Sequence, residues 1–287
     1  MDFRAIGMGL AFALLWSSAF TSARMIVVDA PPLAALAMRF LISGGLGVAI
    51  ALTMGQTWRL SRAQWRATII FGICQNALYL GLNFVAMQTV QASLASIIAS
   101  TMPLMVAGLG WIVFRDRIRP LGVLGLVAGV IGVAIIMGAR LSDGVDPLGV
   151  ALCVVGALAL SIATLSVRGA SSGGNVLMIV GLQMFVGAAC LAVVSGLTEE
   201  LTVNWNPRLI AAFAYTTLAP GLLATWLWFK LVGRIGAIKA ATFHFLNPFF
   251  GVAIAAMILG EGLGILDVVG VAVIAGGILA VQLSKQA

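Results

Sequence analysis

Residues 95–132 read ASIIASTMPLMVAGLGWIVFRDRIRPLGVLGLVAGVIG, and residues 240–277 read AATFHFLNPFFGVAIAAMILGEGLGILDVVGVAVIAGG. Laid over one another at a displacement of about 145 residues, they pair Ala95 with Ala240, Pro103 with Pro248, Asp116 with Glu261, Leu121 with Leu266, Val123 with Val268, Gly125 with Gly270 and Gly132 with Gly277. Apolar segments match one another by chance, so the proline pair and the acid pair carry most weight. The chain holds 8 prolines and 9 acids in 287 residues. Weaker echoes pair Phe40 with Phe185, Phe84 with Phe229 and, one residue out of register, Ser17 with Ser161 and Arg24 with Arg168.

Each copy is embedded in a chain that is 62% hydrophobic and 9% charged, with a mean hydropathy of +1.14. A water-soluble domain is nearer half apolar and a quarter charged, so no soluble core could hide this surface. A bilayer interior about 30 Å thick takes roughly 20 apolar residues per helix. Ten such runs fit: Ala5 to Ala23, Leu33 to Met54, Ala67 to Val85, Ala92 to Phe114, Leu121 to Gly138, Leu148 to Val167, Val176 to Gly196, Leu209 to Phe229, Ile238 to Leu259 and Ile265 to Leu283. The runs are continuous rather than alternating, which favours helices over a barrel. The expected fold is an all-α integral membrane protein of ten transmembrane helices.

Basic residues in short connections are retained in the cytoplasm. The N-terminus, the even-numbered connections and the C-terminus hold Arg4, Arg59, Arg62, Arg66, Arg115, Arg117, Arg119, Arg168, Lys230, Arg234, Lys239 and Lys285, whereas the odd ones hold Arg24, Arg140 and Arg208. Both termini are therefore expected to be cytoplasmic, in a bacterial-type inner (plasma) membrane. Asp29, Asp143, Asp146, Glu199, Glu200 and Glu261 fall on the odd side, so the net charge of +7 reflects topology and not nucleic-acid binding. Reading the first span as a cleaved secretory signal would leave nine spans and spoil this alternation. Cys74, Cys153 and Cys190 stand at no metal-ligand spacing and read as small core residues.

Five spans per copy is an odd number, so the second copy must enter the membrane inverted. The expected units are residues 1–142 and 143–287. Inverted repeats place a substrate path at their interface and permit alternating access by rocking. The arrangement resembles the drug/metabolite transporter superfamily with two EamA-type units. The resemblance rests on Leu15-Trp16-Ser17-Ser18-Ala19-Phe20 in the first helix, Arg39-Phe40 in the second, and Pro103 leading to Asp116 in the fourth, with Asn247-Pro248 and Leu259-Gly260-Glu261 in the second unit. Within that superfamily it is similar to the YddG-type amino-acid exporters, which implies outward movement of aromatic and other neutral amino acids. Two departures are Asp116, where the family usually has Glu, and Gln183, where the first unit has Arg39.

Polar groups inside a span are costly unless paired or wetted by a cavity, which makes them the site candidates. In the third span Gln75, Asn76, Tyr79 and Asn83 form one stripe at helical spacing. The fourth offers Ser100 and Thr101 before Pro103, and the ninth offers His244 and Asn247 before Pro248. A mid-span proline frees the carbonyl four residues back, here those of Ala99 and His244, and paired interruptions point to a binding site. Trp16 and Ser17, Ser161 and Thr164, Thr217, Trp228 and the Pro220-Gly221 kink are expected to converge on the same central cavity, with Pro103, Pro220, Gly221 and Pro248 as kinks or gates. The bland alternative for any single Ser or Thr is back-bonding to its own helix. Trp58, Trp65, Trp111 and Trp205 read as interface-belt residues. Arg39 lies inside its span and is expected to be architectural, snorkelling outward or pairing with Asp29.

Such a lining suits a small neutral substrate, a neutral amino acid first. No Asp or Glu lies mid-span and no GxxxxGK[ST] loop occurs, so ATP-driven pumping and carboxylate-based proton antiport are disfavoured, and facilitated uniport is expected. The alternative is a lipophilic-cation or drug exporter, proton-coupled through His244, the one residue whose ordinary pKa lies near neutral. One His without a buried acid argues against an enzyme, and no cofactor or metal is expected. Partners are the lipid bilayer and the substrate. Gly122, Gly125, Gly129 and Gly132 share one face of the fifth span, which suits close helix packing and, as a lesser reading, a homodimer.

Overall fold

The computed structural model describes residues 3–115, 119–142, 144–166, 173–235, 240 and 242–286. Asp116, Arg117, Asp143, Arg168 and Lys239 lie outside the described residues, as do the side chains of Arg140, Phe229 and Lys285. The architecture is all-helical: α1 (Phe3–Asp29), α2 (Pro32–Thr53), α3 (Arg62–Ala86), α4 (Ala92–Ser100 and Met102–Phe114), α5 (Pro120–Ser142), α6 (Pro147–Ser166), α7 (Val176–Thr198), α8 (Pro207–Ile235), α9 (Thr242–Leu246 and Asn247–Leu259) and α10 (Ile265–Gln286). Among the described residues nine helices are long and apolar enough to cross a membrane. The described apolar helix of α9, Phe243–Leu259, is shorter; the expected start of that span at Ile238 lies outside the described residues.

Hydrogen bonds between connections join odd to odd and even to even, which is what ten successive crossings require. At the end opposite the start of α1, here the far end, Asp146 accepts from the Thr89 hydroxyl (2.7 Å) and the Asp29 carbonyl from Asn204 N (2.8 Å). At the near end the side-chain Oδ1 of Asn175 accepts from Thr57 N (2.9 Å). The inversion is visible in α2 and α7. Glu199, just after α7, accepts from Leu33 N and Ala34 N at the far-end start of α2, while Gln56, just after α2, accepts from Met178 N at the near-end start of α7. Each unit caps the helix of the other, at opposite ends.

The most extensive helix pairings are α5 with α10 and α2 with α7. Small residues permit them, since van der Waals approach, not apolar burial, drives helix association in lipid. A Cβ on Gly277 would sit 2.6 Å from Gly125 O, and one on Gly132 would sit 2.9 Å from Gly270 O. These two contacts are exchanged by the repeat displacement, the mark of a two-fold relation. Gly125 and Gly132 meet α10 and Gly129 meets Leu104 of α4, so at these three glycines the close-packing reading describes contacts within one chain. The remaining helices, α1, α3, α4, α6, α8 and α9, surround the middle, while large apolar side chains such as Leu124, Val130, Leu197 and Met257 stay exposed on the outside, where lipid solvates them.

Candidate functional site

The middle of the bundle is where the helices stop being regular. α3 is not the uniform α-helix of the sequence reading. It opens with a Ser61/Gln64 capping box and then widens into a π-helical stretch over Gly72–Leu80. α8 does the same over Thr217–Leu223, the equivalent position in the second unit. Pro220 lies inside that stretch, so a missing N–H contributes to the irregular turn there. Wide turns of this kind gather at functional sites because they re-aim side chains. α4 breaks at Thr101 and α9 changes from a 3-10 turn to α-helix at Asn247, each just before its proline.

Between these irregular segments lies a cavity of about 70 Å³. α1 contributes Trp16, Phe20 and Ala23; α2 contributes Arg39 and Phe40; α3 contributes Gln75, Asn76, Tyr79, Asn83 and Phe84; α7 contributes Met184; and α8 contributes Pro220, Gly221 and Thr225. A smaller chamber of about 20 Å³ adjoins it, walled by the shared Trp16, Phe20 and Tyr79 and by Ala99, Ser100, Pro103, Leu160, His244 and Asn247. Ligand pockets run to about 300–1,000 Å³. Both chambers are smaller than that.

The stripe on α3 is held by its neighbours. Asn76 Nδ2 donates to Gln183 O (2.9 Å) and Asn83 Nδ2 to Tyr79 O (2.8 Å). Gly187 of α7 and Gly156 of α6 leave the space these amides occupy; a Cβ on Gly156 would lie 2.8 Å from Asn83 Nδ2. On the near-end side, Phe12, Trp16, Trp228 and His244 form an aromatic cluster, with ring centroids 4.9 Å apart for Phe12 and Trp228 and 5.3 Å for Trp228 and His244. Asn247 Nδ2 lies 3.0 Å from His244 Nδ1, so an amide N–H donating there makes the ring nitrogen an acceptor and leaves the proton on Nε2. On the far side the Arg24 guanidinium donates to Met87 O. Beyond it an open groove of about 660 Å³ lies between the α1–α2 and α7–α8 connections, rimmed by Asp29, Glu199 and Glu200.

Of the residues singled out in the sequence, Trp16, Gln75, Asn76, Tyr79, Asn83, Ser100, His244, Asn247, Pro103, Pro220 and Gly221 line one of the two chambers. Thr101, Ser161, Thr164 and Thr217 line neither: their hydroxyls donate to Ile98 O, Ala157 O, Leu160 O and Phe213 O of their own helices. Ser17 donates across to Asn247 O (3.2 Å), steadying α1 against the α9 break. Trp228 belongs to the aromatic cluster, and Pro248 lies just beyond the lining. Phe20, Phe40 and Met184 are lining residues that apolar character had hidden among ordinary span residues. Arg39 differs most from expectation. It neither snorkels nor pairs with Asp29: it is 7% exposed, lines the cavity, has a buried Nε without a partner, and forms no ion pair among the described residues. Its signal in the sequence was its being the one charge well inside a span.

The model of the EamA-like transporter family matches the chain twice, over residues 3–138 and 147–283. The chain is 25% identical to the uncharacterized transporter YvbV of Bacillus subtilis, over 97% of this chain and 92% of that one. It is 28% identical to the uncharacterized inner membrane transporter YedA of Escherichia coli K12, over 89% and 82% respectively. A crystal structure at 20% identity matches all of this chain and 99% of its own with a TM-score of 0.72, which shows the same fold.

Proposed function

Because the chain belongs to the EamA-like transporter family, a membrane transporter and not an enzyme, we propose that it exports small neutral metabolites, amino acids above all, by alternating access. The supporting observation is the lining: amides, a phenol, two hydroxyls, an imidazole, one guanidinium and aromatic faces, with no carboxylate among the described residues that form it. A neutral zwitterion with an apolar side chain finds hydrogen bonds and aromatic surface there. A lipophilic cation would meet Arg39 with no acid to attract it, and His244 would have no carboxylate partner for a proton relay, so the cation-exporter reading has less support.

In this reading the two units, residues 1–142 and 143–287, rock about the α2–α7 and α5–α10 contacts and expose the cavity to each face in turn. Both termini are cytoplasmic, the membrane is the inner membrane, and the far-end groove is the outer vestibule. The basic bias of the even connections supports that orientation. Movement is facilitated, with the solute's own gradient as the driving force. Purified protein in liposomes tests the reading with labelled methionine, threonine and phenylalanine. Protein-dependent flux without an imposed pH gradient is expected. Absence of flux for all three overturns amino-acid transport, and flux that requires a pH gradient overturns uniport.

A further inference from the structure

Arg39 is a charge in the wrong place for a purely architectural part. A guanidinium buried in a membrane bundle is tolerated when a counter-charge or a wet cavity compensates it. Here the cavity is present and the counter-charge is absent among the described residues. Ser43, one turn further along α2, is 1% exposed and its Oγ is likewise without a partner. Both side chains reach α8 at one point: a Cβ on Gly221 would lie 3.5 Å from Arg39 Nη2 and 3.5 Å from Ser43 Oγ. Gly221 sits in the π-helical stretch beside Pro220, so at this point the irregular turn of α8 presents no side chain of its own to the guanidinium. Across the same cavity Asn83, 1% exposed, has its amide nitrogen committed to Tyr79 O and its Oδ1 unpartnered.

Arg39, whose Nε is unpartnered and whose guanidinium carbon lies 5.5 Å from the centre of the Phe40 ring, and Asn83, whose Oδ1 is unpartnered, thus line one small cavity. From this we infer that Arg39 is the anchor for the carboxylate of the transported solute and that Asn83 Oδ1 receives its ammonium group. The inference rests on the amino-acid reading and deepens it, since recognition then falls on the zwitterionic end common to amino acids. Trp16, Phe20 and Tyr79 are left to accommodate the side chain by their faces. A guanidinium offers a carboxylate two parallel N–H donors, a geometry that a lysine ammonium cannot reproduce. The solute's own charge completes the ion pair, and in the empty carrier the guanidinium has the Phe40 ring beside it and no counter-charge among the described residues.

The test uses the full chain in liposomes and compares uptake of labelled phenylalanine in competition with unlabelled phenylalanine and phenylalaninamide, which lacks the carboxylate. The wild type is expected to favour the acid form by about 10-fold to 100-fold, the range of a hydrogen-bonded charged pair. In Arg39→Gln the KM for phenylalanine rises by a similar factor and the two competitors become equal, while Arg39→Lys recovers part of the preference. Asn83→Leu weakens phenylalanine but not 3-phenylpropionate, which has no ammonium. An unchanged preference in Arg39→Gln, or a wild type that does not distinguish acid from amide, overturns the inference while amino-acid transport stands. Thermal shift by 3-phenylpropionate supplies an independent arm should amino-acid flux be absent or Arg39→Gln be poorly folded. Stabilisation of the wild type supports the anchor and its absence counts against it; where Arg39→Gln is obtained folded, stabilisation must also disappear in that variant.

Discussion

Glu261 closes the start of α4 at Ala92: its carboxylate accepts from Ala92 N at 2.8 Å and from Ser93 N at 2.9 Å. The first N–H groups of a helix have no partner within it, and the positive end of the helix dipole favours a carboxylate there. The residue comes from the connection after α9, so this cap ties the second unit to the first, as Glu199 does for α2 at the same end. Glu261→Ala is expected to lower stability by about 1–2 kcal/mol, read as a fall in the melting temperature of the detergent-solubilised protein. Glu261→Gln keeps one acceptor oxygen and should lose less. Equal melting temperatures for all three proteins would remove the cap from the account.

The α5–α10 contact allows a matched comparison within one helix. Gly277 faces Gly125 O so closely that a methyl group would sit 2.6 Å from it, whereas Gly276 has nothing within 4 Å of the same position. Gly277→Ala must push the two helices apart and is expected to cost about 1–3 kcal/mol. Gly276→Ala adds helix propensity without a clash and should be neutral or slightly stabilising. Thermal denaturation of the two variants decides it; a Gly276 variant as damaged as the Gly277 one would mean that the glycines are not packing sites.

The two glycine contacts also show what a single sequence can and cannot express. The displacement of about 145 residues was written in rare residues, Pro103 with Pro248 and Asp116 with Glu261, and it carried the inversion and the kinked helices with it. What Glu261 does was not written there, because its partners Ala92 N and Ser93 N are backbone groups more than a hundred residues away and any residue type offers them. The same holds for Ser161 and Thr164. Their side chains are those of a wet lining, yet each hydroxyl finds a carbonyl four residues back in its own helix, a choice decided by rotamer and packing. Arg39 was conspicuous as a charge, but whether it snorkels or faces inward depends on the rotation of α2 against α8, which periodicity alone does not determine. The π-helical turns of α3 and α8 were likewise hidden, since no residue pattern in Gly72–Leu80 marks the extra residue in the turn.

Lipid-facing and cavity-facing positions alternate along α3, and this gives a labelling prediction. Gln75 and Asn83 line the cavity, whereas Ile73 and Leu78 are exposed on the outside of the bundle. In a background with Cys74, Cys153 and Cys190 replaced by Ser or Ala, single cysteines at 75 and 83 should react with a membrane-impermeant thiol reagent as the carrier cycles, and transported solute should slow that reaction. Cysteines at 73 and 78 should stay unreactive with or without solute. Equal labelling at all four positions would mean that the stripe does not face a water-reached path.

The last prediction concerns pH and lies outside the membrane. Asp146, in the α5–α6 connection, accepts from the Thr89 hydroxyl and from Leu148 N and Gly149 N at the start of α6. The hydroxyl first, opposed by desolvation and then supported by the two backbone N–H groups, holds its carboxyl below the ordinary value of 3.8. A carboxyl whose pKa is lower folded than unfolded binds fewer protons when folded, so stability from it is present above the unfolded pKa and is lost as pH falls through the folded one. The contribution is thus intact from neutrality down to about pH 4 and declines only below it. Melting temperatures of the wild type and Asp146→Asn should differ at neutral pH, with the wild type the more stable, and converge only below about pH 4 as the acid is protonated. A gap that persists unchanged below the folded pKa would show that the charge of Asp146 is not what secures the start of α6.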